Sequence, residues 1–265
     1  MNFVILKNSL STLGRLTVLK IRELGSVAVF FFQGFFYIFS FPLQIVKTVQ
    51  QIYFIGTKSI FVIILTGTFT GMVLGFQGYY TLVQFGSEGL LGAAVALSLI
   101  REMGPVMTAI MVIARAGSSI AAEIGIMRIS EQIDALETMD INPIRYLVSP
   151  RFAAAVISFP LLTALFNVVG IFGGYVSGSV LLGINPGTYF FRVESAVLME
   201  DIASGFIKSI VFGAVVVTVC CFQGFFTHTR AKFGAEGVSS ATTAAVVTSC
   251  VLILIVDYIL TSFFL

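Results

Sequence analysis

Three ionisable side chains fall where a lipid bilayer would surround them. Arg101 and Glu102 lie about twelve residues into the apolar run that begins at Gly89, roughly 18 Å along a helix. Lys208 lies roughly six residues into another apolar run, Ile202 to Thr229. Charge at such depth needs an opposite charge or a wet cavity. The depths allow Glu102 to meet Lys208 in an ion pair that fixes helix register. They equally allow Arg101 and Glu102 to line a polar patch in an otherwise greasy chamber, which is what an amphiphile requires. A relay of ions through Arg101, Glu102 and Lys208 is a further use of the same groups. Arg115 is expected near the inner surface, where a long stem can snorkel. Asp257 is expected near the outer surface, solvated.

Other chemistries find no residues to carry them. The chain has no GxxxxGK[ST] motif, no HExxH and no Ser/His/Asp set with a plausible water-filled site. It cannot hydrolyse ATP alone, so it is read as a non-catalytic subunit with no cofactor of its own. His228 is the single histidine, which excludes a histidine-based metal cluster, and it reads as a residue at the end of a span. Cys220, Cys221 and Cys250 sit in apolar runs without a CxxC, as packing residues do.

One polar island, Arg128 to Pro143, interrupts the oil. Glu131, Asp134, Glu137 and Asp140 recur at spacings of three, while Ile129, Ile133 and Leu136 fall at i, i+4 and i+7. The pattern predicts a short amphipathic helix over 129–140 with an acidic face. Ser130 can cap its start, Glu131 suits its positive end, and Pro143 should stop it by pushing Asn142 out of helical geometry. A water-facing acidic helix between membrane spans is suited to gripping a partner. With no P-loop in the chain, that partner is expected to be a motor on another subunit.

The elements that position these residues follow from composition. Only 11% of the residues are charged and mean hydropathy is +1.02, where a soluble domain carries about 25% charged residues. This is an all-α polytopic membrane protein, and its net charge of +2 is too small to suggest nucleic acid. Residues 1–23 project as an amphipathic helix lying in the interface, with Lys7, Arg15 and Arg22 on its polar side. Spans are expected over 59–83, 89–122, 152–182, 202–228 and 238–263, with an outer segment around Asn185-Pro186-Gly187. If 24–48 also crossed, the basic cluster Arg128, Arg145 and Arg151 would lie outside. The segment is therefore predicted to be a re-entrant or interfacial elbow, which puts the N-terminus in the cytoplasm and the C-terminus in the periplasm. Gly67, Gly71, Gly75 and Gly78 form a small-residue stripe on the first span, the mark of close helix contact. Leu74, Tyr79 and Tyr80 lie near its outer end, where the tyrosines serve either as interface anchors or as cavity lining. Phe-Gln-Gly followed by aromatics occurs at Phe32, Phe76 and Phe222, at unequal separations that indicate sequence bias rather than a structural repeat.

Several longer motifs resemble one family. Leu74-Gly-Phe-Gln-Gly-Tyr-Tyr80, Ala96-Leu-Ser-Leu-Ile-Arg-Glu-Met-Gly-Pro-Val-Met-Thr-Ala109, Ala114-Arg-Ala-Gly-Ser118, Ala121-Ala-Glu-Ile-Gly125 and Ser130-Glu-Gln-Ile-Asp-Ala-Leu-Glu-Thr-Met139, followed by Ile141-Asn-Pro-Ile-Arg-Tyr-Leu147, resemble the MlaE/YrbE permeases. The resemblance covers most of the chain and is densest from Phe69 to Arg151. These are membrane subunits of ABC transporters that work with MCE-domain proteins. The resemblance implies a homodimer in a bacterial inner membrane, each protomer with an elbow and five spans. It also implies an ABC ATPase subunit that uses ATP and magnesium and docks on a cytoplasmic coupling helix between spans two and three. A periplasmic MCE-domain protein and a small cytoplasmic STAS-domain protein complete the set of partners. A phospholipid would occupy an outward-facing cavity, moved between the inner membrane and the MCE carrier to maintain outer-membrane lipid asymmetry. Carried onto this sequence, Glu131, Ile133, Asp134, Leu136, Glu137 and Met139 are coupling residues. Leu74, Tyr79, Tyr80, Arg101, Glu102 and Lys208 are lipid-cavity residues. One departure stands out: Asp140 occupies a position where the family usually has Gly. Two other readings stay open, a stand-alone secondary transporter or channel and a structural anchor for a periplasmic ring. Matched interrupted helices of the kind inverted repeats provide are not evident.

Overall fold

The computed structural model describes residues 18, 21–22, 25–39, 44–227 and 234–264. The amphipathic helix expected over 1–23 therefore lies outside the described residues except at 18, 21 and 22, as does His228. Among the described residues every regular element is helical. Five helical stretches are long and apolar enough to cross a bilayer: Ile45–Val83, Glu88–Ile129, Ile144–Leu181, Met199–Phe225 and Ala235–Phe264. The chain is an all-α, multi-pass membrane protein.

Over the described residues the first apolar helix, α1 (Gly25–Phe36), is too short to span. It lies against the ends of other helices through aromatic rings. Phe30 is buried, with its centroid 5.6 Å from Phe222 and 5.8 Å from Phe225, and Phe31 and Phe35 reach Phe152 at 5.6 and 6.0 Å. Phe30, two residues before one Phe-Gln-Gly-aromatic stretch, thus packs on another at Phe222–Phe226.

The first crossing begins earlier than the lysines suggest. Helix α2 (Ile45–Ile55) leads through a tight turn at Thr57–Ser59 into α3 (Ile60–Val83). Lys47 and Lys58 read as a border in the sequence. In the fold they lie along aromatic faces, Lys47 over Tyr146 and Lys58 beside Tyr53 and Phe54, and the helix continues past them. Arg115 does not snorkel into open water. Its guanidinium donates to the Phe54 carbonyl and to Ser59 Oγ, satisfying a carbonyl at the end of α2.

The second crossing is built from α4 (Leu91–Ser98), α5 (Gly104–Val112) and α6 (Ser118–Ile129), joined by π-helical segments at Leu99–Met103 and Ile113–Gly117. Arg101, Glu102 and Arg115 all sit in these two wide turns. Helix α7 (Gln132–Thr138) follows. A third π segment, Ile144–Val148, enters α8 (Ser149–Tyr175). Helix α9 (Pro186–Ala196) is capped by Asn185, whose Oδ1 accepts from the amides of Gly187 and Thr188 at 2.8 and 3.3 Å. Helices α10 (Met199–Phe225) and α11 (Ala235–Phe264) complete the bundle. Helix α11 buries only Gly237, Ala241, Ala245, Ser249 and Ile253, one stripe at every fourth residue, and turns its other faces outward.

The glycine stripe on α3 meets small residues on α8. A Cβ added to Gly71 would stand 1.8 Å from the Gly170 carbonyl oxygen, and one added to Gly173 would stand 2.3 Å from that of Thr68. The obstruction is backbone, which cannot swing aside. Gly71→Ala should therefore destabilise the protein by about 3 kcal/mol or more, since overpacking against mobile side chains already costs ~1–3 kcal/mol. Thermal denaturation in detergent checks this, and an unchanged midpoint would contradict the close contact.

Candidate functional site

Helix α10 runs parallel to the second crossing. A Cβ on Gly205 would meet the Ile100 carbonyl, and one on Gly224 would meet that of Ala121. The two contacts are about 30 Å apart along α10. They define two ends of the bundle, one holding the charged residues and the other holding α7.

At the first end Lys208 is the hub. Its side chain is 2% exposed, and its ammonium donates to the Arg101 carbonyl (3.0 Å), Glu102 Oε2 (2.8 Å) and Thr261 Oγ1 (2.7 Å). Thr261 passes the bond on to Glu102 Oε1 at 3.2 Å, and Asp257 Oδ1 stands 3.3 Å from the ammonium. All three N–H bonds are used. One cation is thus shared between two carboxylates. The second pair is Arg101 Nε to Asp201 Oδ1 at 2.6 Å, while Asp201 Oδ2 accepts from the Leu198 amide and caps α10. These groups border a cavity of about 420 Å³ that reaches Leu198, Ser204 and Phe264. The Arg101 side chain is 45% exposed toward it. The available cation is therefore Arg101, and Lys208 serves as the internal clamp that holds Glu102 and α11 in place.

Asp257 is a correction to the sequence reading. It is 19% exposed and faces Lys208 because α11 continues to Phe264, leaving Asp257 inside the helix rather than at its mouth. Asp201 and Thr261 were not singled out either. A weak signal existed for Asp201, three residues after the Leu198 that precedes α10, where an acid binds back to the chain at a helix start.

Leu74 lines a different cavity of about 280 Å³ between α3 and α4, with Gln77, Thr81, Ala94 and Ser98. Tyr79 packs against the core and its ring meets that of Tyr80, 5.9 Å away, whereas Tyr80 is largely exposed. Neither tyrosine lines either cavity. Within one chain the six residues expected to surround a lipid are not brought together: Arg101, Glu102 and Lys208 line one cavity, Leu74 lines the other, and the two tyrosines line neither.

At the far end α7 is shorter than the polar pattern suggested, and its turns differ from those expected. Ser130 does not cap it: its Oγ donates back to the Ile126 carbonyl at 2.8 Å and closes α6. Glu131 precedes α7 in a left-handed conformation, φ 59°, with no side-chain cap bond. The helix ends before Pro143 exerts any effect. The Asp140 amide bonds to the Glu137 carbonyl and the Ile141 amide to that of Leu136, both at 3.0 Å, with Asp140 at φ 57°. This is a Schellman ending, whose left-handed residue is ordinarily glycine. The Asp140 position thus has a backbone reason to be glycine in other chains, and aspartate is among the few residues that tolerate it. Pro143 instead opens the next helix, with Asn142 Oδ1 accepting from the amides of Ile144 and Arg145. Ile133 is fully buried and Leu136 half-buried, so both hold α7 to the bundle; Glu131, Asp134, Glu137 and Met139 are exposed. Asp134 bonds to Arg128 at 2.7 Å, and Arg128 also covers the Phe225 ring. Beneath them the buried Arg151 pairs with Glu123 at 2.9 Å, tying α8 to α6.

Comparison with known proteins places the chain in a family. The family model for permease MlaE matches residues 48–263. The intermembrane phospholipid transport system permease protein MlaE of Haemophilus influenzae is 39% identical, over 96% of this chain and 97% of its own. A probable ABC transporter permease of Rickettsia conorii is also 39% identical, over 97% of this chain and 98% of its own. The chloroplastic protein trigalactosyldiacylglycerol 1 of Arabidopsis thaliana is 39% identical over 82% of this chain and 61% of its own length. A multi-pass helical bundle with no nucleotide-binding motif, matched along nearly its whole length by permeases, belongs to the MlaE permease family.

Proposed function

We propose that this permease is the membrane subunit of an ATP-driven transporter that moves phospholipid between the inner membrane and a periplasmic MCE-domain carrier, and so maintains outer-membrane lipid asymmetry. The observation that carries the reading is the separation of two functional ends on one rigid bundle. A charged cavity with one exposed cation, Arg101, lies about 30 Å along α10 from an exposed acidic helix held by buried Ile133. Arg101 can meet a headgroup phosphate beside apolar Leu198 and Phe264, and the carboxylates Glu102, Glu200 and Asp201 in the same lining suit the cationic part of a zwitterionic headgroup. The acidic face of α7 suits a cytoplasmic ATPase. ATP and magnesium act on that partner. The split between the Leu74 and Arg101 cavities supports a homodimer in which a second protomer completes the lipid chamber. Orientation follows the basic clusters: N-terminus and α7 in the cytoplasm, α9 and the C-terminus in the periplasm. A small STAS-domain protein on the cytoplasmic side belongs to the same proposal. A stand-alone ion relay fits less well, because every Lys208 N–H is already bonded within the chain.

The test is reconstitution of the permease with its ATPase in liposomes, with ATP-dependent transfer of labelled phospholipid to the carrier as the readout. Ion-gradient-driven flux by the permease alone would overturn the reading. The docking surface has its own test. Reversing charge at Glu131 and Glu137 together should lower ATPase co-purification at least tenfold at moderate salt, with the permease still folded. Undiminished co-purification would show that the acidic face is not the grip.

A further inference from the structure

Two adjoining cavities lie at the α7 end, on the far side of the bundle from the charged site. One, of about 210 Å³, is walled mainly by Ile38, Ile45, Val49, Pro150 and Ala153. The other, of about 280 Å³, is walled by Asp140, Ile141, Asn142, Arg145 and Tyr146. Gln44 and Arg145 line both and form the neck between them. The first is a greasy chamber; the second carries one cation and one anion. Lys47 adds a further positive charge, resting on the Tyr146 ring. Gln44 spends its amide N–H on the Arg145 carbonyl at 3.3 Å, and its Oε1 is sealed from solvent without a hydrogen bond from any described residue. A buried acceptor without a donor is costly, so the neck favours an occupant that brings an N–H or O–H.

We propose that these cavities together bind one phosphatidylethanolamine molecule as a resident lipid, separate from the transported one. Its phosphate lies toward Arg145 and Lys47, and its ammonium toward Asp140 and Gln44 Oε1. The upper part of one acyl chain fills the apolar chamber, and the remainder runs out along the exposed Ile45 and Val49 of α2. Ethanolamine and choline lipids are both zwitterions that match a site with both signs of charge; the orphan acceptor favours the one that brings a donor, which ethanolamine does and choline does not. The walls of the site include the joint between α1 and the loop after α7, where Asn142 Nδ2 donates to the Tyr37 hydroxyl at 3.0 Å. A lipid seated there braces the mount of α7. Placing it in the cytoplasmic leaflet rests on the orientation proposed above, whereas the binding itself does not.

The experiment is thermal denaturation of the purified full chain in detergent, with added dioleoylphosphatidylethanolamine or dioleoylphosphatidylcholine. The ethanolamine lipid should raise the midpoint more than the choline lipid. Val49→Trp, which fills the chamber from an exposed position, and Arg145→Gln should each cut that difference by at least half. Asp140→Gly should reduce it too, while the lipid-free midpoint holds or rises because the left-handed turn is relieved. Ser204→Trp, which fills the cavity beside Arg101, should leave the difference intact and lower transport if the transport reading holds. Equal midpoints with the two lipids would overturn the proposal. So would a preference that survives Val49→Trp, or one abolished by Ser204→Trp, which would place the lipid in the transport cavity. Val49→Trp decides the matter if Arg145→Gln fails to fold.

Discussion

Lys208→Met should destabilise the permease by about 2–3 kcal/mol, below the range for a fully buried charge pair because Glu102 is 41% exposed and water can reach it. The side chain is 2% exposed, and its loss leaves Glu102 and Asp257 facing each other without a cation. It also deprives the Arg101 carbonyl and Thr261 of their donor. Methionine keeps most of the volume, so the cost reports charge and hydrogen bonding rather than a cavity. Neutralising both acids in the same chain, with Glu102→Gln and Asp257→Asn, should recover more than half of the lost stability. Thermal or denaturant unfolding in detergent reads the effect. A midpoint unchanged by Lys208→Met would mean that the three groups are solvated independently and that no clamp exists.

Arg101→Ala should behave in the opposite way, sparing the fold and impairing transport. The guanidinium is 45% exposed, and its partner Asp201 keeps a second bond, to the Leu198 amide, when Arg101 is gone. Stability should therefore fall by only about 1–2 kcal/mol, because Asp201 is buried but keeps its amide bond. If Arg101 binds the lipid phosphate, the loss of a charge-assisted bond of about 1.5–3 kcal/mol corresponds to roughly ten- to a hundredfold weaker lipid retention. Phospholipid co-purifying with the variant, quantified by mass spectrometry, gives the answer. Wild-type retention would move the lipid phosphate elsewhere. Arg101→Lys is a useful companion, because it keeps the charge and loses the planar fork.

Sequence patterns reached the membrane class, the five crossings and the depth match of Glu102 with Lys208, because bilayer hydrophobicity is a strong, local signal. What escaped them was set by backbone geometry. Lys47 and Lys58 looked like a boundary, since nothing in the sequence shows that aromatic rings from α2 and the Tyr146 region will accept them. Asp257 looked solvated because the far end of α11 cannot be located from an apolar run alone. The π segments had no compositional signature, yet Leu99–Met103 leaves the Arg101 carbonyl facing Lys208. At α7 the acidic periodicity was visible, but Ser130 and Pro143 each have two possible uses. Ser130 closes the preceding helix, and Pro143 starts the following one. Asp140 stands out in the sequence as a departure, and its physical reason, a left-handed turn, belongs to the backbone.

The backbone contact between α3 and α8 restricts how the molecule can move. With the Gly170 carbonyl filling the place of a side chain on Gly71, neither helix can roll about its own axis without driving peptide groups into one another. The pair is a keyed shaft, free at most to travel as a unit. Any pivoting during a transport cycle must then fall to helices with more forgiving seams. Helix α11, which buries one stripe from Gly237 to Ile253, is such a helix, and Thr261 and Asp257 on it would carry any swing directly to Lys208.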